Sequence, residues 1–181
     1  ASDVYKRQDR LSSIILWGPP GCGKTSLARV ISNTTKYKFT KINAVTAGIG
    51  DIKNAIEEAK NTFLNPTGRC ILFIDEIHRF NKLQQDALLP YVENGTVILI
   101  GATTENPYFE VNKALISRSM IFKLNPLTVQ NVYDVLKKSL ISEEGLGSYK
   151  INIEDETLMK IAETSNGDVR TALNGLEVAV L

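Results

Sequence analysis

The segment GPPGCGKT at residues 18–25 constrains the fold of this chain more than any other feature, because it fits the pattern GxxxxGK[ST]. An apolar run, Ser13 to Trp17, precedes it, and a helical pattern, Ser26 to Asn33, follows it. In such a strand, loop and helix, the glycines let backbone N–H groups turn toward a phosphate at the positive end of the helix. The sequence therefore predicts a nucleotide-binding α/β protein.

The residue types of this loop predict separate roles. Lys24 can reach the β- and γ-phosphates, and the Thr25 hydroxyl can bind Mg²⁺. The alternative is a glycine-rich turn without a ligand, which would leave the flanking strand and helix unexplained. The predicted nucleotide-binding residues are Gly18, Pro19, Pro20, Gly21, Cys22, Gly23, Lys24, Thr25 and Ser26.

Five short apolar runs alternate with stretches of helical pattern, as in a parallel sheet covered on both faces. Runs such as ILFI and VILI are continuous, which is typical of strands without a solvated face. The predicted strands are Ser13 to Trp17, Tyr37 to Ile42, Cys70 to Ile74, Thr96 to Ile100 and Met120 to Leu124. These runs predict a doubly wound α/β fold with a five-stranded parallel sheet.

The pattern changes after Leu124, where Asn125, Pro126 and Leu127 interrupt the chain. Three helices are predicted beyond this point, with Thr128 and Asp168 as N-caps. Their ranges are Thr128 to Ile141, Glu154 to Thr164 and Asp168 to Leu181. We expect an unassigned segment at 1–12, an α/β core at 13–126 and a helical lid at 127–181, truncated because its last helix lacks a cap.

Two adjacent carboxylates follow the third predicted strand. At this position Asp75 can hold the Mg²⁺ shell, and Glu76 can orient and polarise an attacking water. Taken alone, the pair could equally be a solvated turn or the first turn of a helix. Beside the phosphate loop, it predicts hydrolysis of a nucleoside triphosphate.

Composition limits the setting in which this chemistry takes place. The 21 Lys and Arg against 20 Asp and Glu give a net charge of +1, so no chain-wide basic field indicates nucleic acid. The two cysteines, Cys22 and Cys70, lie far apart in a chain long enough to bury a core, which favours a reducing compartment. One His and two Cys are too few for a structural zinc site. No apolar run reaches the roughly 20 residues of a membrane span, so we expect a soluble intracellular protein.

The order of the motifs resembles that of the AAA+ ATPases. A complete predicted strand separates the phosphate loop from the acid pair, and a later strand ends in a polar tip, Gly101 to Thr104. In AAA+ proteins the polar-tipped strand lies between the two motif strands. The resemblance implies that Thr104 is the sensor 1 residue, although it could instead satisfy local backbone groups. It also implies that Asn43 pairs with the catalytic Glu, although an asparagine at a turn is just as common.

Two arginines extend this resemblance. The segment Leu115 to Ser119 is similar to the Ser-Arg-Cys segment of clamp-loader-like ATPases, with Ser119 in place of the Cys. This implies that Arg118 acts on the nucleotide of a neighbouring subunit in a homo-oligomer. The segment Gly167 to Arg170 resembles the sensor 2 element, which implies that Arg170 closes over the γ-phosphate of its own chain. Either arginine could instead be an exposed helix residue.

The longest resemblance runs from Asp75 to Ser119, DEIHRFNKLQQDALLPYVENGTVILIGATTENPYFEVNKALISRS. It is similar to the replication-associated recombination protein A family, which includes the Werner helicase-interacting protein. LWGPPGCGKT and GDVRTALNGLE fit the same family, so the resemblance covers about residues 13–181. Holliday-junction branch-migration motors share DEIHR but differ at Phe80 to Lys82 and at Glu105 to Pro107.

This family implies a DNA-dependent ATPase that uses ATP and Mg²⁺ in replication-fork maintenance, recombination and repair. The implied partners are DNA with single-stranded ends, gaps or forks, further copies of the chain, and a single-strand-binding protein or another replisome protein. The implied location is the bacterial cytoplasm with the nucleoid, or a eukaryotic nucleus. Alternatives are a Holliday-junction branch-migration or clamp-loader-like ATPase and, in another class, a non-hydrolysing nucleotide-gated scaffold.

Two departures from the family bear on these expectations. ASDVYKRQDR stands where members carry a segment that helps to hold adenine, and the C-terminal domain that forms tetramers is absent from this sequence. The resemblance therefore implies less about adenine specificity and assembly than about hydrolysis.

Three further features have two interpretations each. His78 is more naturally a structural or relay residue than a catalytic base, because no Ser or Cys stands at triad-like spacing. Cys22 precedes a helix N-terminus near Lys24, which favours a thiolate, but a small filler residue would fit as well. Lys36, Lys38 and Lys41 form a basic patch that is either a solvated edge or a DNA contact.

Overall fold

The computed structural model describes residues 11–35, 37–61, 68–143, 145–149 and 151–180. Contacts divide the described chain into two compact units. The core unit holds the residues up to Trp17 and Lys24–Lys123, and the lid unit holds Gly18–Gly23 and the residues from Leu124 onward. The predicted domain boundaries stay a prediction. None of the helices in the described ranges is long and apolar enough to cross a membrane.

The core unit is built on a parallel five-stranded sheet with the strand order β2-β3-β4-β1-β5. The strands are β1 Ser13–Trp17, β2 Lys38–Asn43, β3 Cys70–Asp75, β4 Val97–Thr103 and β5 Ser119–Lys123. This confirms the predicted fold and all five strands to within a few residues. The polar-tipped strand β4 lies between β1 and β3, as the resemblance implies. Because Trp17 pairs with Thr103 and Ile74 with Gly101, the ends of β1, β3 and β4 meet at one edge, called here the carboxyl edge.

Helices and a 3₁₀ turn connect these strands. They are α1 Lys24–Asn33, α2 Ile49–Lys60, the 3₁₀ turn Ile77–Arg79, α3 Lys82–Glu93, α4 Pro107–Glu110 and α5 Lys113–Ile116. The start of α3 is fixed by Asn81, whose Oδ1 accepts the Gln84 N–H at 2.9 Å, while Gln84 Oε1 accepts the Asn81 N–H at 2.9 Å. This reciprocal pair is a capping box.

Both faces of the central strands are buried. Leu72 and Ile74 of β3 pack with Ile52 of α2 and Leu88 of α3 in one apolar cluster. The alternating residue Phe73 points to the opposite face and has no exposed surface. The helix α1 packs against β3 and β4. Continuous burial explains why ILFI and VILI are apolar at every position.

The lid unit contains three helices, α6 Val129–Ile141, α7 Asp155–Thr164 and α8 Val169–Val180. Both predicted N-caps are confirmed: Thr128 Oγ1 accepts the Asn131 N–H at 3.2 Å, and Asp168 Oδ1 accepts the Arg170 N–H at 2.9 Å. The predicted last position, Leu181, lies outside the described residues. The helices share a small core formed by Val132, Leu136, Leu158, Ala162, Ala172 and Leu176.

The side chain of Gln85 in α3 forms hydrogen bonds that hold the segment between β4 and β5 in place. Its Nε2 donates to the carbonyl oxygens of Phe80 and Glu110 at 2.9 and 3.1 Å, and its Oε1 accepts the Asn112 N–H at 2.6 Å. Gln85 itself is buried. Because α4 and α5 have only four residues each, they depend on this side chain rather than on helix propensity.

Gln85→Met is expected to lower the free energy of unfolding by about 3 kcal/mol, because it removes the partner of three backbone groups at roughly 1–3 kcal/mol each where they are buried. Urea denaturation followed by circular dichroism measures this change. The matched control is Gln130→Met on the exposed surface of α6, expected within about 0.5 kcal/mol of wild type. Equal losses in the two variants would contradict the anchoring role of Gln85.

Candidate functional site

The carboxyl edge of the sheet gathers the predicted reactive residues of the core unit. Lys24 and Thr25 are the first two residues of α1, Asp75 ends β3, and Thr103 ends β4. Glu76 follows Asp75 directly. In a parallel sheet, ligands bind outside the carboxyl ends of the strands. The fold therefore brings these side chains to the edge where a nucleotide would bind.

Lys24 is the buried cation of this edge. It is only 8% exposed, which is uncommon for a lysine. Thr25 beside it is partly buried. An ammonium group at the start of a helix and largely removed from solvent is well placed to interact with an anion, because nearby charges are screened less there than in water.

Glu76 adopts an unusual backbone conformation. Its φ of 56° and ψ of 45° lie in the left-handed region, at the N-cap residue directly before the 3₁₀ turn. For a residue with a side chain this conformation costs about 1–2 kcal/mol, and such strain is concentrated at functional sites. The predicted catalytic carboxylate is thus held in a conformation that local propensity does not favour.

His78 connects Glu76 to the end of β4. Its Nδ1 lies 3.3 Å from Glu76 Oε2 and 2.9 Å from Thr103 Oγ1. Thr103 is fully buried, and its hydroxyl also accepts the Glu105 N–H at 3.0 Å. The structure therefore gives His78 contacts that fit the relay interpretation.

Two threonines lie at the end of β4 or just beyond it, and the sequence pattern indicated a role for Thr104 but not for Thr103. Thr104 is partly buried and lies just beyond β4, so its sensor role stays a prediction. The signal for Thr103 was its place as the last residue of the continuous run VILIGAT, where a polar side chain is buried with the strand.

The predicted pairing of Asn43 with Glu76 is not present among the described residues. Asn43 ends β2 on an exposed position, and its Oδ1 accepts the Val45 N–H at 2.9 Å. This short-range turn, typical of asparagine, occupies the side-chain oxygen. The glutamate has His78 as its partner instead.

Asp75 and the two described lysines of the predicted basic patch form ion pairs. Lys41 Nζ lies 3.5 Å from Asp75 Oδ2, and Lys38 Nζ lies 2.8 Å from Glu58 Oε2. The hydrogen bond from Lys38 lowers the pKa of Glu58. Lys36 lies outside the described residues. Because both described lysines contact carboxylates, their arrangement favours the solvated edge over a DNA contact.

Thr25 and Asp75 supply hard oxygen donors, which suit Mg²⁺. No cluster of three or more His, Cys, Asp and Glu side chains suited to a metal occurs within the described ranges. A dedicated protein cage is therefore not formed by these residues. Mg²⁺ is commonly held by one or two protein ligands together with substrate phosphates and water, and the donor set fits that mode.

Arg118 lies at the opposite edge of the sheet. It precedes β5, whose Ser119 pairs with Ser13 at the start of β1. With a rise of about 3.3 Å per residue and about 4.8 Å between strands, its backbone is about 20 Å from that of Glu76. The guanidinium Nη2 instead lies 2.7 Å from Glu93 Oε1. Within one chain, Arg118 and Glu76 are therefore not brought together.

The loop Gly18–Gly23 packs with α8 inside the lid unit. Gly21 has a φ of +67°, and a Cβ there would overlap the Asp168 carboxylate and lie 2.8 Å from its Cα. The Val169 N–H donates to the Gly21 carbonyl at 3.4 Å. Only glycine fits this position, for reasons of both conformation and space.

Three other residues predicted to bind or act on the nucleotide differ in their exposure to solvent. Cys22 is buried within the loop, which favours the filler interpretation. Pro20 is exposed, and Arg170 is exposed in the first turn of α8. Cys70 at the start of β3 is also buried, and this burial raises the pKa of its thiol to about 11, so it stays protonated at neutral pH.

Two family matches cover most of the chain. Residues 14–126 match the family described as "ATPase family associated with various cellular activities (AAA)". Residues 148–181 match the "RCF1/5-like, AAA+ ATPase lid domain". The first match contains the candidate reactive residues of the carboxyl edge, and the second contains Arg170.

Individual proteins are similar to nearly the whole chain. The chain is 50% identical to Replication-associated recombination protein A of Escherichia coli K12, over 93% of this chain and 38% of that protein. It is 47% identical to ATPase WRNIP1 of Dictyostelium discoideum over 94% of this chain and 19% of that protein. The solved Thermotoga maritima RuvB Holliday junction branch migration motor superposes with a TM-score of 0.73 at 30% identity, over 93% of this chain and 54% of that one. The chain thus spans about two fifths or less of the length of the two curated relatives, the E. coli and Dictyostelium proteins.

Proposed function

Because the chain belongs to the AAA family of ATPases, we propose that it hydrolyses ATP to ADP and phosphate, and that DNA stimulates this activity in replication-fork maintenance, recombination and repair. One observation carries the proposal. Lys24, Thr25, Asp75 and Glu76 come from separate parts of the sequence and meet at the carboxyl edge of one sheet.

Backbone and side-chain groups of the chain would have separate roles in the proposed hydrolysis. Backbone N–H groups of Gly18–Gly23 would surround the phosphates, and Lys24 would contact the β- and γ-phosphates. Glu76 would orient the attacking water and accept its proton. When Mg²⁺ is bound, held by Thr25 and Asp75, it would neutralise charge on the phosphate oxygens. Thr104 and Arg170 would contact the γ-phosphate, from the end of β4 and from α8.

The relatives support a role in DNA replication and recombination. Identity is 50% to the E. coli replication-associated recombination protein A and 30% to RuvB, which favours the former function over branch migration. The net charge of +1 provides no general attraction for DNA. DNA contact must therefore depend on a local surface, and a single-strand-binding protein or another replisome protein would complete the set of partners.

We also infer that the active form is a homo-oligomer. Arg118 and Glu76 lie about 20 Å apart within one chain by strand spacing, so Arg118 would act on the nucleotide of a neighbouring copy. Such a head-to-tail contact generates a ring or a filament.

ATP turnover of the full chain is expected to be higher with gapped or forked DNA than without DNA. It is also expected to be higher than with duplex DNA of equal length. The assay is run at one stated salt concentration, because phosphate contacts are salt-dependent. Lys24→Ala provides the background rate. Turnover at that background with every DNA would contradict the proposal and favour the non-hydrolysing scaffold.

A further inference from the structure

We propose that a cavity between α3 and the α4–α5 segment binds single-stranded DNA. We propose further that His78 couples DNA binding in this cavity to the catalytic residue Glu76. This inference rests on the proposed DNA-dependent ATPase and identifies where that protein senses DNA. The cavity has a volume of about 440 Å³, within the range of about 300–1,000 Å³ that is typical of ligand sites. It lies entirely within the core unit.

Two exposed aromatic side chains form one wall of the cavity. Tyr108 is 59% exposed and Phe109 is 83% exposed, whereas phenylalanine is usually buried. They are consecutive residues of α4. Aromatic rings on which bases stack are the sequence-independent element of single-strand recognition. The pair therefore offers a stacking surface that the core of the protein does not use.

This stacking surface is held in place before any ligand binds. Asn106 Oδ1 accepts the Tyr108 N–H at 3.1 Å, and the buried Pro107 begins α4. Gln85 binds the Glu110 carbonyl at the other end of the same turn. A rigid surface loses little conformational entropy on binding, which favours affinity.

Two lysines give the cavity a net positive lining. Lys82 and Lys113 line it together with a single carboxylate, that of Glu110. Among the described residues neither lysine forms an ion pair, in contrast to Lys38 and Lys41. Cations beside exposed aromatic rings match a polyanion with stackable bases, whereas a purely apolar peptide would leave both ammonium groups without a partner.

His78 connects the cavity to the catalytic carboxylate. It lines the cavity, and its Nδ1 lies within 3.3 Å of both Glu76 Oε2 and Thr103 Oγ1. When Nδ1 carries a proton it can donate to Glu76, and when it does not it can accept from Thr103. These two arrangements exclude each other. The His78 side chain is only 8% exposed, so a nucleotide in the cavity covers its remaining exposed surface, favours one arrangement over the other and thereby changes the hydrogen bond to Glu76.

The binding surface is tested with the double variant Tyr108→Ala and Phe109→Ala. Fluorescence anisotropy with labelled oligo-dT is expected to show about a tenfold or larger loss of affinity, from the removal of stacking. The control is Phe122→Ala with Tyr149→Ala, two exposed aromatic residues elsewhere in the chain, expected to bind as wild type. Lys82→Gln and Lys113→Gln are each expected to reduce the slope of log affinity against log salt by about 0.7.

The relay is tested with His78→Gln. We expect the ratio of turnover at saturating oligo-dT to turnover without DNA to fall to about one in this variant, since the coupling free energy is lost. A residue that only stabilises the fold would lower both rates and keep the ratio. An unchanged ratio would overturn the relay.

The outcomes separate the two proposals. Wild-type turnover that DNA does not raise contradicts the proposed function. Wild-type stimulation with unchanged oligo-dT affinity in the Tyr108 and Phe109 variant leaves that function standing and overturns the cavity as the DNA site. Sedimentation showing that this variant loses subunit association but keeps its DNA affinity would assign the surface to a second copy of the chain, which also overturns the inference.

Discussion

Replacing Glu76 with glutamine is expected to lower the ATP turnover number about 10²–10⁴-fold, the usual contribution of a general base, while ATP still binds. The amide keeps the size of the side chain but cannot accept the proton of the attacking water. Steady-state phosphate release measures turnover, and a fluorescent ATP analogue measures binding.

Glutamine is preferable to glycine or alanine because of the backbone at this position. Glu76 has a φ of 56°, and glycine would relieve about 1–2 kcal/mol of strain, which would mix a change of stability with a change of chemistry. The control is Glu57→Gln on the exposed surface of α2, expected to keep wild-type turnover. Near wild-type turnover in Glu76→Gln would remove this carboxylate from the reaction.

The parts of the fold that the sequence predicts are those encoded by neighbouring residues. The strands β1, β3 and β4 are recognisable because burial on both faces makes their central positions apolar. The N-caps Thr128 and Asp168 are recognisable because their partners lie two or three residues away. Local signals of this kind need no knowledge of distant contacts.

The structural features that the sequence does not predict depend on contacts between residues distant in the sequence. The four-residue helices α4 and α5 are too short for a periodic signal, and they are held by Gln85. Likewise, the link from Glu76 through His78 to Thr103 becomes visible only once β3 and β4 pair. In the site, sequence predicts which residues gather at the carboxyl edge, but not their partners.

The ion pair of Arg118 bears on the proposal that this residue acts on a neighbouring copy. In the isolated chain its guanidinium pairs with Glu93, and both side chains are substantially exposed. Exposed ion pairs contribute only about 0–1 kcal/mol, whereas charge-assisted bonds between arginine and phosphate are stronger. A neighbouring nucleotide can therefore draw Arg118 away from Glu93 with little loss.

Arg118→Ala is expected to lower ATP turnover about 10³–10⁵-fold, the contribution of an arginine that stabilises transferred phosphoryl charge. ATP affinity should change little, because the arginine acts on the transition state. Phosphate release and analogue binding are measured as for Glu76→Gln. The matched control is Arg29→Ala on the exposed surface of α1, expected to keep wild-type turnover.

Mixing the two inactive variants decides whether Arg118 acts on its own chain or on a neighbour. Arg118→Ala subunits keep Glu76, and Glu76→Gln subunits keep Arg118, so some interfaces in a mixed assembly combine both intact residues. For head-to-tail contacts in an equal random mixture, about a quarter of the interfaces do so. Turnover should then recover to a comparable fraction of wild type when the variants are mixed before assembly. If Arg118 acted within its own chain, no subunit in the mixture would hold both residues, and turnover would stay at the level of the separate variants.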